Sequence, residues 1–412
     1  MIAIHDPAPP FHDYLNIMYL RPMLEYATAE NIPCKLISEL SHAHNDTVCV
    51  DTEYLTPENI DLLKNDGNRI IGFNIVDSSH LAQCSRENPL PVDLIFSFTG
   101  LQTTNRGKEF VIDQDFNVTL EERQFMEPEQ WTRFDFMRSM GRLLSLPYVH
   151  WERQPLFIKQ PYSNRSPKVL LRGGAHMRRV ILALFLLKYG LLDEASGFPL
   201  MDYFKESMAE QFRFCKPCRN EVHRCGGKYP HRTPSLHRFE CTSPAKWGGE
   251  LDLENMGLWN NRCPESFYWL AEKFGQNHGY LLDDRLERLL NCEWLEQTEH
   301  LSTLGSTLFT ADCKWLHSIY AAQRFWDGAV AGCINLLPER TADQEYFPAM
   351  QPTVHYKTFR EDFSQLEQEA QISKDEYESI SHNAEELYKH WMQPSDYAIS
   401  TNLLRHIFEH IL

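Results

Sequence analysis

The sequence predicts an α/β protein of two Rossmann-like α/β/α domains, with a Cys/His-rich insertion in the second. Three observations carry that prediction. Short apolar runs alternate with helical patterns, as in parallel sheets joined by helical crossovers. The 412 residues exceed one ordinary core and suit two domains of roughly 150–200 residues each. The polar segment Ser163-Asn164-Arg165-Ser166-Pro167 reads as a linker, and a new strand–glycine–helix unit starts directly after it. The predicted domains are residues 1–165 and 166–395, with 396–412 as a terminal helix.

In the first half, Ile2 to Asp6 reads as a strand broken by Pro7, Pro9 and Pro10. A helical pattern runs from Tyr14 to Glu30, and strands are expected at Cys34 to Ile37, Thr47 to Val50 and Arg69 to Ile75. Thr56-Pro57 opens a helix between the last two, threonine as cap and proline at the first helical position. Val92 to Phe98 is a further strand, and the aromatic and charged stretch from Phe110 to Trp151 ends in a helix predicted over Phe134 to Leu146.

The second half opens with Lys168-Val169-Leu170-Leu171-Arg172-Gly173-Gly174, followed through Arg178 by a helix over Val180 to Tyr189. Glycines let a backbone approach an anion, and a helix N-terminus offers free N–H groups to it. The alternative is a tight turn whose arginines pair with surface acids. Helix patterns at Pro264 to Phe274 and Asp284 to Trp294 bring few strand signals with them. A helix ending Arg324-Phe325-Trp326-Asp327-Gly328-Ala329-Val330-Ala331-Gly332 runs into the apolar segment Cys333 to Leu337. A polar loop (Pro338 to Pro348), a strand at Thr353 to Tyr356 and three amphipathic helices complete the chain.

Residues 205–246 stand apart. They hold nine Lys and Arg against four acids, a local charge of +5 in a chain of net charge −17. They also hold Cys215, Cys218, Cys225 and Cys241 with nearby histidines, a composition suited to structural zinc. The spacing matches no standard finger, and reduced, unliganded thiols are the alternative. The overall acidity excludes a general nucleic-acid platform, because such binding rests on neutralising phosphates. A local polyanion contact or a solvated basic loop remain for this segment.

Composition bounds the rest. Hydrophobic content of 42% and charged content of 24% exclude a disordered chain. Nothing at the start reads as a secretory signal. The longest apolar run, Val180 to Leu187, falls far short of the ~20 residues that span a bilayer. Eleven cysteines without framework spacing suit a reducing compartment, so a cytoplasmic location is expected, a host cytoplasm if the chain is viral.

The order from Arg324 through Asp327, Gly328 and Gly332 into the following strand, with the tail from Tyr377 to Leu412, resembles the C-terminal half of GT-B glycosyltransferases. The resemblance is one of organisation and covers Pro167 to the end better than the first half. It implies two Rossmann-like domains facing a central cleft, with terminal helices crossing back to the first. It implies a nucleotide-sugar donor, a UDP-sugar foremost, held by Arg172, Gly173, Gly174, Arg178, Arg324, Asp327 and Gly328. The acceptor would be a glycan or a hydroxymethylated DNA base. An inverting member needs a general base from the first domain. Candidates are His5 with Asp6, His12 with Asp13, Asp51 with Glu53, and Asp77 with His80; Asp77 is preferred, at the end of the clearest strand. Its alternative role is a helix cap. Glu339, Asp343 and Glu345 are candidates for gripping donor hydroxyls. A sugar-nucleotide epimerase and a non-catalytic binding module of the same fold are the rival readings.

Overall fold

The computed structural model describes residues 1–7, 19–74, 92–98, 100–112, 118–124, 126, 128–147, 159–173, 177–198, 274–276, 278–279, 289, 297–312, 323–397 and 399–412. The first half contains β1 (Ile2–His5), α1 (Leu20–Ala29), β2 (Cys34–Ile37), β3 (Thr47–Asp51), α2 (Pro57–Asn65), β4 (Arg69–Asn74), β5 (Leu94–Ser97), β6 (Leu101–Gln102), β7 (Arg106–Ile112), β8 (Val118–Gln124), α3 (Pro128–Ser139) and β9 (Leu143–Ser145). Six of these strands form one sheet in the order β2-β1-β3-β4-β5-β9, every pair parallel.

Alternation along the strands splits the core into two layers. Ile2, Ile4, Cys49, Ile71, Phe73 and Phe96 face one cluster, whereas Ala3, Val48, Val50, Ile70 and Ile95 face the other. Burial on both faces explains why Arg69-Ile-Ile-Gly-Phe-Asn reads as a nearly continuous apolar run. The cap predicted at Thr56 forms, its hydroxyl accepting from Asn59 N at 3.3 Å.

The second half contains β10 (Ser166–Leu170), α4 (Met177–Lys188), α5 (Gln297–Gly305), β11 (Thr307–Ala311), α6 (Gln323–Ala331), β12 (Ile334–Pro338), β13 (Gln344–Glu345), β14 (Lys357–Phe359), α7 (Leu366–Glu369), α8 (Lys374–Trp391) and α9 (Thr401–Ile411). Its parallel sheet has the order β10-β11-β12-β14. Residues 191–197 flank the far side of β10 through parallel bridges at Val169–Leu192 and Arg172–Gly197.

Several ties join the halves. Helix α9 lays Leu403, Leu404, Ile407, Phe408 and Ile411 into the cluster under the first sheet. Arg69 on β4 caps its end by donating to the carbonyls of Ile411 and His410. The antiparallel hairpin β7–β8 reaches the other way, packing Val118 and Leu120 against the second core. At its base Asn105 exchanges two 2.9 Å hydrogen bonds with the backbone of Met126, and β6 pairs with β13.

Several local expectations need correction. The helix predicted over Phe134 to Leu146 ends at Ser139, because Gly141 adopts φ +67° and its N–H returns to Arg138 O, releasing Leu143–Ser145 as a strand. The Ser163–Pro167 segment is no loose linker. Arg165 is buried and donates to the carbonyls of Thr307 and Ala331, and Ser166 already belongs to β10. The strand expected at Thr353 to Tyr356 is a turn with Thr353 at φ 62°, and pairing begins at Lys357. Most of the two helix patterns between 264 and 294 lies outside the described residues, as do Tyr14 to Met18.

Candidate functional site

From β10 the chain passes through α4 to residues 191–197 on one side, and then returns to β11 on the other. Strand order therefore reverses between β10 and β11. In open α/β sheets the crevice outside the carboxyl ends of the strands at such a reversal is where ligands bind. The first sheet repeats the arrangement, since β2 and β3 flank β1 on opposite sides.

At the second reversal, three side chains and one glycine meet. Asp312 directly follows β11; its Oδ1 accepts a hydrogen bond from Arg179 Nη2 at 2.7 Å and lies in ion-pair distance of Arg324 Nη1, at 3.3 Å. Arg179, in the first turn of α4, is 1% exposed. Arg324 is the second residue of α6 and is partly accessible. Gly173, just past β10, has φ +120°, a backbone conformation that L side chains rarely adopt. A Cβ there would sit 2.5 Å from Arg324 Nη2 and 3.5 Å from Arg179 Nη1. Only a glycine lets both guanidiniums close over this turn.

Two guanidiniums converge on one carboxylate at the ends of β10 and β11. The N-termini of α4 and α6 open at the same edge and add the positive ends of their dipoles. Such a site suits a phosphate or diphosphate.

The residues that the sequence singles out fall into separate places. Gly173 and Arg324 are brought together. Arg172 Nε donates to Ala195 O at 2.7 Å, tying the strand end to the flanking segment. Arg178 lies in the first turn of α4, and its side chain, like Gly174, lies outside the described residues. Asp327 is 2% exposed and its Oδ2 lies 3.6 Å from His300 Nε2, between α5 and α6, with its charge also felt by Tyr388 on α8. Gly328 allows α6 to approach β12: a Cβ would sit 2.9 Å from Asn335 Nδ2, which itself donates to Phe325 O at 3.1 Å. Cys215, Cys218, Cys225 and Cys241 lie outside the described residues, as does Asp77. Among the described residues, no group of three or more His, Cys, Asp or Glu is placed to hold a metal, and no helix is long and apolar enough to cross a membrane.

Sequence reasoning missed Arg179 and Asp312. The Arg178-Arg179 pair at a helix start was the available signal for the first. Asp312 gave none, because β11 itself was not recognised.

The carboxyl edge of the first sheet is a row of buried polar groups. His5 and Asp6 end β1, Asp51 and Thr52 end β3, and Asn74, Ser97 and Ser145 end β4, β5 and β9. Thr52 Oγ1 donates to Asn74 Oδ1 at 3.3 Å, and Asn74 Nδ2 to Ser97 Oγ at 3.5 Å. His5 is 4% exposed and meets the Tyr54 ring edge to face at 5.1 Å. Burial lowers its proton affinity, offset in part by the Asp6 charge and a hydrogen bond to the Ser38 backbone. Its imidazole is therefore neutral at pH 7.

No family model matches the chain, and no curated protein matches its sequence. Among solved structures it is similar to a glycosyltransferase from Rickettsia africae ESF-5, at TM-score 0.28 and 11% identity, over 100% of this chain and 97% of that one. It is also similar to accessory secretory protein 1, 2 and 3 in Streptococcus pneumoniae, at TM-score 0.37 and 7% identity, over 95% of this chain and 57% of that one. What the chain does is accordingly read from the chemistry of its own site.

Proposed function

We propose that this chain is a glycosyltransferase that moves a sugar from a nucleoside-diphosphate donor to a hydroxyl acceptor. The observation that carries the reading is the convergence of Arg179 and Arg324 on Asp312 beside Gly173, where strand order reverses in the second sheet. Fixed guanidiniums, helix N-termini and a closely approachable backbone are the groups that stabilise a leaving diphosphate. Two parallel sheets, each with a reversal at its carboxyl edge, support a GT-B arrangement with a domain boundary near residue 165.

In the transfer step, the acceptor oxygen bonds to the anomeric carbon while the bond from that carbon to the β-phosphate oxygen breaks. The electron pair leaves with the nucleoside diphosphate, and the acceptor proton passes to a base. Arg324 and Arg179 hold the departing charge, with Arg172, Gly174 and Arg178 completing the phosphate cradle. Asp327 and Gly328 are assigned to the ribose or sugar side, the carboxylate being held by His300. Asp77 is assigned as the base of an inverting reaction. His5 is the second candidate, favoured by a buried neutral imidazole whose Nδ1 has no hydrogen-bond partner among the described residues. The donor is proposed to be a UDP-sugar, and Cys215, Cys218, Cys225 and Cys241 to bind structural zinc.

A stability-shift comparison of UDP, GDP, ADP, CDP and TDP tests the reading. One nucleotide family should raise the melting temperature of the native chain and fail to do so in Arg324→Ala. The absence of a shift with all five would overturn it.

A further inference from the structure

A cavity of about 500 Å³ opens between the β7–β8 hairpin and the carboxyl edge of the second sheet. We infer that it is the acceptor subsite and that the acceptor is a neutral saccharide rather than a nucleic acid. This rests on the donor reading above.

The hairpin's register places Lys108 opposite Glu122 and Arg106 opposite Gln124, on the same face as Leu120 and Val118. That face is apolar toward the tip, where Val118 and Leu120 anchor it on the second core, and charged toward the base, where Arg106, Lys108 and Glu122 line the cavity. The opposite wall is built from Glu339 and Asp343 after β12 and from the buried ion pair Arg340–Glu361, at 2.8 Å. Glu361 follows β14. β12 and β14 succeed β11 in the same sheet. At about 4.8 Å per strand, their ends stand within about 10 Å of the end of β11, which carries Asp312. A ligand here would present its reacting group toward the anomeric carbon of a sugar whose diphosphate sits on Arg324.

The charges choose among acceptors. With Arg340 and Glu361 neutralising one another, two cations face three carboxylates. Carboxylates accept hydrogen bonds from hydroxyls, whereas Arg106 and Lys108 donate to hydroxyl and ring oxygens. Leu120 offers an apolar contact for the C–H face of a sugar ring. A phosphodiester would instead meet Glu122, Glu339 and Asp343 in a lining where carboxylates outnumber the two cations. The volume falls in the range of about 300–1,000 Å³ usual for small-molecule sites.

The test uses the full chain and saturation-transfer NMR without donor. The probes are lactose, maltose, cellobiose and chitobiose, set against a short duplex carrying 5-hydroxymethylcytosine. At least one disaccharide should bind, and Glu122→Gln with Glu339→Gln should weaken it tenfold or more. Lys108→Ala should weaken it as well. All three positions are exposed and leave the core untouched. Nucleotide stability shifts should be unchanged in Glu122→Gln and in Lys108→Ala, neither of which touches a residue assigned to the donor. Saccharide binding indifferent to the substitutions, no disaccharide binding, or binding of the duplex in preference would each overturn the inference. Saccharide binding without any nucleotide shift would keep the subsite and remove the donor reading alone.

Discussion

Gly173 and Arg324 occupy one another's space: a methyl group on residue 173 would stand 2.5 Å from Arg324 Nη2, although the two lie far apart in sequence. Gly173→Ala should therefore displace the Arg324 guanidinium and strain a backbone at φ +120°. A hydrogen bond to a charged group contributes about 1.5–3 kcal/mol, so both Gly173→Ala and Arg324→Ala should weaken nucleoside-diphosphate binding roughly 10- to 100-fold. Only Gly173→Ala should also lower stability, by about 1–3 kcal/mol. Calorimetric titration and denaturant unfolding of the pair read both effects.

Asp327→Ala should abolish donor turnover with the fold retained. Its carboxylate is buried beside His300 rather than exposed, so His300→Ala should produce part of the same loss, seen in kcat/KM for the donor. Near-native kinetics in Asp327→Ala would assign the pair to helix packing.

Stability should fall on mild acidification. His5 and His406 both bind protons less readily than an ordinary imidazole, mainly through burial and, for His406, also through the His410 charge. The unfolded chain then binds more protons in the window that opens at about pH 6.5 and extends to the lower folded values, so unfolding gains ground as pH drops through it. His406 stacks on Phe347 with ring centroids 3.8 Å apart. Replacing it with phenylalanine should flatten the decline of melting temperature between pH 7 and 5, whereas an unchanged slope would exclude this contribution.

Arg69→Ala should fray the C-terminal helix without unfolding the first sheet. The guanidinium caps the last carbonyls of α9, and loss of such a charged cap costs about 1–2 kcal/mol. Hydrogen exchange should quicken in residues 401–411 first.

Glu361→Ala should be far more damaging than Glu339→Ala. Arg340 and Glu361 have side chains 6% and 5% exposed, and removing one partner of a buried pair costs about 3–5 kcal/mol. Glu339 is exposed, and its loss should fall within about 0.5 kcal/mol. Urea unfolding of the two variants decides this.

Local sequence determined a good share of this protein. The strands β1, β3, β4, β5 and β12 were legible because burial on both faces demands continuous apolar runs, and Thr56-Pro57 announced α2 because capping is settled within four residues. Gly173 and Arg324 were singled out by their chemistry and their places at element ends, and the fold brings the two together. The hairpin β7–β8 was hidden, because its alternation mixes charged and apolar side chains on the face that packs against the second core. The helix over Phe134 to Leu146 was overextended, because one left-handed glycine outweighs helical propensity only when a sheet edge waits for the next three residues. Only the tertiary structure decided that Arg179, Asp312, Arg324 and Gly173 share one site. Their positions are fixed by strand order, and order is set by which crossovers bury the most surface across whole sheets, a quantity that no local stretch of sequence contains.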